Sequence, residues 1–149
     1  MTLQTPALTV APLLVSFIVA SQPNDTYDAI KKPDWTPPSY VFPIVWTILY
    51  LSMGYASARV ADRVSLMSVP MLLYAIQLAL NVSWTPVFFG LGEYAQALTI
   101  LRVLIAAVLV TIVAFWQVDQ VAGLLLIPYL AWLGVAHGLN SGIVAMNPA

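Results

Sequence analysis

Residues Lys31 to Trp46 read KKPDWTPPSYVFPIVW. Pro33, Pro37, Pro38 and Pro43 each lack an N–H and restrict the residue before them, so the stretch predicts a stiff, extended connector rather than a helix interior. Trp35, Tyr40 and Trp46 carry large apolar rings with one polar handle each. Such rings suit either a membrane–water boundary or the lid of an apolar pocket. Which of the two applies depends on what flanks the connector.

The flanks are greasy. The 149-residue chain is 61% hydrophobic and 7% charged, with a mean hydropathy of +0.90, against roughly 25% charged residues in a soluble domain. Five Lys and Arg against six Asp and Glu give a net charge of -1, which offers no basic field to nucleic acid. The absence of cysteine removes disulfides, thiolate metal sites and cysteine nucleophiles. The single histidine, His137, excludes an all-histidine metal site within one chain.

A bilayer-crossing helix needs about 20 mostly apolar residues. Five segments qualify, approximately Thr2 to Ser21, Val41 to Ala61, Ser68 to Phe89, Tyr94 to Gln117 and Val121 to Met146. The first lacks the basic start of a signal peptide and is followed by further apolar segments, so it reads as a span, shortened or kinked by Pro6 and Pro12. Only the loop of about Gln22 to Tyr40 is long, and the short later connections force neighbours antiparallel. The expectation is one all-α membrane domain over residues 1–149, a bundle of five transmembrane helices with a long proline-rich first loop. Lys31 and Lys32 on one side balance Arg59 and Arg63 on the other, so basic residues do not orient it.

Tyr74, Gln77, Asn81, Trp84 and Phe88 recur at spacings of three and four along the third span, sharing one helix face. Amides are costly in hydrocarbon, so Gln77 and Asn81 are expected to face protein or a cavity, either bonding between helices or holding a ligand. The second span adds Trp46, Tyr50, Met53 and Ser57, and the fifth adds Tyr129, Trp132, Ala136 and Leu139. Tyr40, Tyr94 and Trp116 lie near span ends and fit an interfacial belt. Trp46, Trp84 and Trp132 lie deeper, as in a pocket for a flat, mostly apolar ligand.

Gly134, Gly138 and Gly142 repeat every four residues and predict a smooth groove for another helix backbone, in the same chain or a second copy. His137 and Asn140 flank it. His137 reads as a hydrogen-bonded structural histidine or, alternatively, a haem ligand. Arg102, within the fourth span, either snorkels toward Glu93 or meets a ligand carboxylate. No nucleophile, base and orienter set can be assembled, and no Walker, GxSxG or HExxH spacing occurs, so the chain does not read as a hydrolase.

KKPDWTPPSYVFPIVWTILY, QLALNVSWTPVFFG and PYLAWLGVAHGLN together resemble, in order and spacing, the translocator protein family, also known as TspO/MBR, tryptophan-rich sensory proteins or peripheral benzodiazepine receptors. The resemblance implies five transmembrane helices, often dimeric, in a bacterial or mitochondrial outer membrane. It also implies a pocket that opens toward the first loop and binds porphyrins such as protoporphyrin IX or haem, sterols, and isoquinoline or benzodiazepine drugs, with no obligatory cofactor. By position, Trp35 would cover the pocket, with Trp46, Asn81, Trp84, Trp132, Ala136 and Leu139 lining it; the helical faces add Tyr50 and Gln77. Two departures matter. After Leu139 the chain reads NSGIVAMNPA, without the tyrosine and basic residue of the cholesterol-recognition pattern. Ser141 stands where members linked to light-driven porphyrin breakdown carry a second tryptophan, although Trp46, tied to the same chemistry, is present. The resemblance therefore implies a receptor, transporter or sensor for tetrapyrroles, with a light-dependent porphyrin-degrading enzyme working through Trp46 as the alternative and a purely structural membrane partner as the third.

Overall fold

The structure, a computed structural model, describes residues 29–38 and 40–147. The helices are α1 (Val41–Ala61), α2 (Val69–Thr85), which runs into a π-helical turn (Pro86–Gly90), α3 (Tyr94–Val118), α4 (Gln120–Leu125) and α5 (Ile127–Met146). They make four spans of membrane-crossing length, Val41–Ala61, Val69–Gly90, Tyr94–Val118 and Gln120–Met146, and there is no strand among the described residues. The 21 residues of α1 rise about 31 Å, the thickness of a hydrocarbon core. The chain is thus an integral membrane protein. The expected span at 2–21 lies outside the described residues.

Each boundary follows from local chemistry. Pro43 belongs to the first turn of α1, where a missing N–H forfeits no intrahelical bond. Val41 donates its N–H to Pro38 C=O at 3.0 Å, so the connector feeds directly into α1. Pro86 is different, because it follows a full helix and removes a bond from its interior. The backbone widens there, and Leu91 N–H reaches back five residues to Pro86 C=O at 2.9 Å. Sequence periodicity carries this span straight to Phe89; the structure instead ends it in the wider turn and reverses at Gly92, whose φ of 67° suits glycine.

The last span, expected from Val121, begins at Gln120 and is interrupted at Leu126. Pro128 sits in the opening turn of α5, so α4 and α5 are two helices laid nearly end to end. The side chain of Asp119 accepts from Ala122 N–H at 3.0 Å and caps α4. The same carboxylate accepts from Arg59 Nε at 3.1 Å and lies 3.3 Å from an Arg63 guanidinium nitrogen. Arg63 also donates to Val118 C=O at 3.2 Å. The end of α1 is thereby tied to the α3–α4 junction. Close approach at that junction depends on Gly123, where a Cβ would stand 3.0 Å from the Trp116 backbone.

Asp119 gives the junction a pH dependence. Burial works against its charge, but Ala122 N–H and the guanidiniums of Arg59 and Arg63 outweigh that cost and hold its carboxyl below the usual carboxylate value. A depressed folded pKa contributes stability that is complete above the unfolded pKa of about 4 and is lost as pH falls through the folded value. Thermal unfolding in detergent should therefore show the wild type losing stability below about pH 4. Asp119→Asn should be less stable at neutral pH and show less of that acid loss. Parallel pH profiles for the two proteins would remove Asp119 from the junction's energetics.

Candidate functional site

Four polar side chains of the spans, Tyr50, Gln77, Asn81 and Tyr129, meet in one buried relay. Tyr50 on α1 donates its hydroxyl to Asn81 Oδ1. Asn81 Nδ2 donates to Tyr129 on α5 at 2.8 Å, and Tyr129 donates onward to Gln77 Oε1 at 2.7 Å. Gln77 Nε2 completes the chain against Met53 sulfur at 3.8 Å. Donors and acceptors alternate, so one proton arrangement satisfies the relay. Gln77 and Asn81 thus take the interhelical role that was one of their two expected uses, joining α1, α2 and α5. A second set runs alongside: Trp84 Nε1 donates to Asn140 Oδ1 at 3.1 Å, and Asn140 Nδ2 donates to Tyr94 C=O at 2.9 Å.

Around the relay the aromatic rings are stacked and edge-on. Trp46 lies 5.6 Å from Tyr50, 6.3 Å from both Trp84 and Tyr129, and 6.4 Å from Trp132, measured between ring centroids. These separations fall in the range where aromatic quadrupoles attract. Trp84 also stacks on Phe88 at 4.8 Å, a partner that the π-helical turn presents. Phe42 packs edge-on against Trp132 at 5.6 Å and Phe89 at 6.0 Å. Ala136 and Leu139 are buried on the same side of α5. The structure therefore gathers Trp46, Tyr50, Gln77, Asn81, Trp84 and Trp132 into one cluster between α1, α2 and α5. Of the indoles in it, that of Trp132 has a buried N–H with no hydrogen-bond partner. Tyr74, buried on the same face of α2, stacks on Phe115 of α3 at 5.9 Å.

The connector lies over α5. A turn closes at Thr36, whose N–H and hydroxyl both donate to Pro33 C=O, at 3.1 and 2.6 Å. Trp35 remains 54% exposed, yet the edge of its ring would stand 3.3 Å from a Cβ at Gly138, and Pro33 Cγ would stand 2.7 Å from one at Gly142. The glycine repeat was expected to seat a helix backbone. Among the described residues, what lies on Gly138 and Gly142 is the connector, because glycine leaves room for a bulky ring as readily as for a backbone. Asn147 fastens the far end: its Nδ2 donates to Lys31 C=O at 2.8 Å and its Oδ1 accepts from Lys31 N–H at 3.2 Å. Nothing in the sequence marks Asn147 for this, since a helix-ending asparagine is common without a partner.

His137 and Arg102 pair with each other, as Arg102 Nε donates to His137 Nε2 at 3.3 Å. Among the described residues Arg102 has no ion pair with Glu93, and its partner is His137. No group of three or more His, Cys, Asp or Glu side chains that could hold a metal occurs among the described residues.

The profile of the TspO/MBR family matches residues 5–146. The tryptophan-rich sensory protein of Cereibacter sphaeroides is 44% identical over 126 residues, covering 85% of this chain and 79% of that protein. Protein CrtK of Rhodobacter capsulatus is 40% identical over 129 residues, covering 85% and 81%. The translocator protein of Homo sapiens is 40% identical over 140 residues, covering 89% and 83%.

Two outcomes follow from the geometry. Asn81→Ala strands the buried Tyr50 hydroxyl and removes the bond that Tyr129 accepts, leaving Tyr129 its donation to Gln77, so it should cost about 2 kcal/mol of stability, more than the roughly 1 kcal/mol of a single interhelical bond; chemical unfolding in mixed micelles measures it. Gly142→Ala should displace the connector while the bundle keeps its helix content, seen as increased proteolysis near Pro33 with an unchanged far-ultraviolet circular dichroism spectrum.

Proposed function

The chain belongs to the TspO/MBR family, and on that premise we propose that it is an integral membrane receptor or transporter for porphyrins, protoporphyrin IX or haem, and for similarly flat hydrophobic molecules such as sterols and isoquinoline or benzodiazepine drugs. In this reading residues 2–21 supply a fifth span. The ligand lies among the rings of α1, α2 and α5, and Trp35 closes over it from the connector.

The observation that most supports the reading is the setting of Trp46, within 6.4 Å of Trp132, Trp84, Tyr129 and Tyr50, with the Trp132 N–H still unpartnered. A flat macrocycle is recognised by ring faces, and its polar edge needs a few well-placed donors. The amides and phenols of the relay already serve one another. That leaves Trp132 as a donor for a ligand oxygen and makes ring stacking the main source of affinity. Asn81 then acts by holding Tyr50 and Tyr129 in place. A connector stiffened by proline and already seated on α5 loses little conformational entropy when it closes.

Protoporphyrin IX titrated into the detergent-solubilised protein should quench tryptophan fluorescence saturably, with a Kd on the order of micromolar, about -8 kcal/mol. In stopped flow, Trp35→Ala should speed dissociation more than it slows association. Absence of saturable quenching overturns the binding reading, and equal off-rates for wild type and Trp35→Ala overturn the lid. Illumination separates the enzymatic alternative: a Soret band that decays faster than in a Trp46→Phe control would favour degradation over simple binding.

A further inference from the structure

Arg102 lies eight residues into α3, about 12 Å along the helix, and its side chain is exposed on the outer surface. Its partner is His137, whose Nε2 accepts from Arg102 Nε at 3.3 Å. The ion pairs among the described residues are those of Arg59 and Arg63 with Asp119; no carboxylate there answers Arg102. An isolated cation facing hydrocarbon is costly unless an anion meets it. His137 holds the guanidinium by Nε, which leaves the two terminal nitrogens directed elsewhere as a planar donor pair, the geometry that suits a phosphate.

The direction of the two helices adds a second element. α3 starts and α5 ends on the side of the connector, where Lys31 meets Asn147. Helical side chains lean toward the N-terminus, so Arg102 reaches toward the headgroups on that side. One turn deeper, Ala106 on α3 and Gly134 on α5 are both small and exposed. A Cβ at Gly134 would meet nothing within 4 Å. The seam thus offers a charged end near the boundary and an open, narrow apolar floor beneath it, on a different side of α5 from the buried Tyr129, Ala136 and Leu139.

We propose that the α3–α5 seam is a binding site for one anionic phospholipid, its phosphate held by Arg102 with His137 positioning the guanidinium, and one acyl chain lying over Ala106 and Gly134. Zwitterionic lipids fit the floor but bring a cationic group that competes with Arg102 for the phosphate, so the site selects by net headgroup charge. The site is independent of the aromatic cluster, and its occupation does not require a porphyrin.

Native mass spectrometry of the full chain in detergent, titrated in parallel with phosphatidylglycerol, phosphatidylcholine and oleate, tests this. Wild type should retain one phosphatidylglycerol about fivefold more tightly than phosphatidylcholine, as expected of one basic residue near a lipid surface. Arg102→Leu should abolish that preference with helix content unchanged. Gly134→Phe should weaken phosphatidylglycerol retention with the charge intact, and it carries the test by itself if the arginine variant fails to fold. Equal retention of the two phospholipids by wild type, or a phosphatidylglycerol preference that survives both substitutions, overturns the site. Oleate displacing phosphatidylglycerol with the same Arg102 dependence would assign the anion to a carboxylate and overturn the phospholipid assignment.

Discussion

The structure turns on a constraint rather than on a particular contact: polar groups within a hydrocarbon slab must satisfy one another. Tyr50, Asn81, Tyr129 and Gln77 meet it by bonding in series across α1, α2 and α5. Lipid is as apolar as leucine, so burying aliphatic side chains does little to choose one helix arrangement over another. The relay does choose. Sliding α2 by one turn against α1 or α5 would leave two amides and two phenols without partners, and the aromatic stacking around Trp46 would be lost with it. Specificity of packing and shape of the aromatic cluster therefore have a common origin.

The same constraint bears on the three arginines, which occupy two separate places. At the end of α1, Arg59 and Arg63 share Asp119, and the cluster sits at a helix junction where water and backbone groups are within reach. Arg102 is within a span and has His137 for its partner instead. In one arrangement two guanidiniums share a carboxylate at the end of a span, and in the other a guanidinium within a span has no carboxylate partner among the described residues.

Much of this was legible in the residues themselves. The four described spans follow from apolar runs of sufficient length, and the amide and aromatic face of α2 follows from spacings of three and four, because both are local properties of one helix. The gathering of Trp46, Trp84 and Trp132 was foreseeable only once the helices were known to be antiparallel neighbours. What the sequence could not show is which partner answers a given side chain across the bundle. Gly138 and Gly142 announce open space but not that Trp35 and Pro33 occupy it. Arg102 and His137 stand 35 positions apart, and their pairing depends on the register between α3 and α5. Pro86 signals a disturbed helix, yet whether the chain kinks, breaks or widens depends on whether residues such as Phe88 find a stacking partner.

The hydrogen bonds between Asn147 and Lys31 have a kinetic meaning. The connector is pinned at both ends, at α1 through Pro38 and at α5 through Asn147, so it cannot swing open about one hinge. It must either bow outward, which its prolines resist, or release at Asn147, where the bonds are exposed to solvent and exchange readily with water. Release is the easier route. On the proposed reading of Trp35 as a lid, its opening would be timed at Asn147, more than a hundred residues from that tryptophan in sequence, and a change there would alter how often the door opens without altering the room behind it.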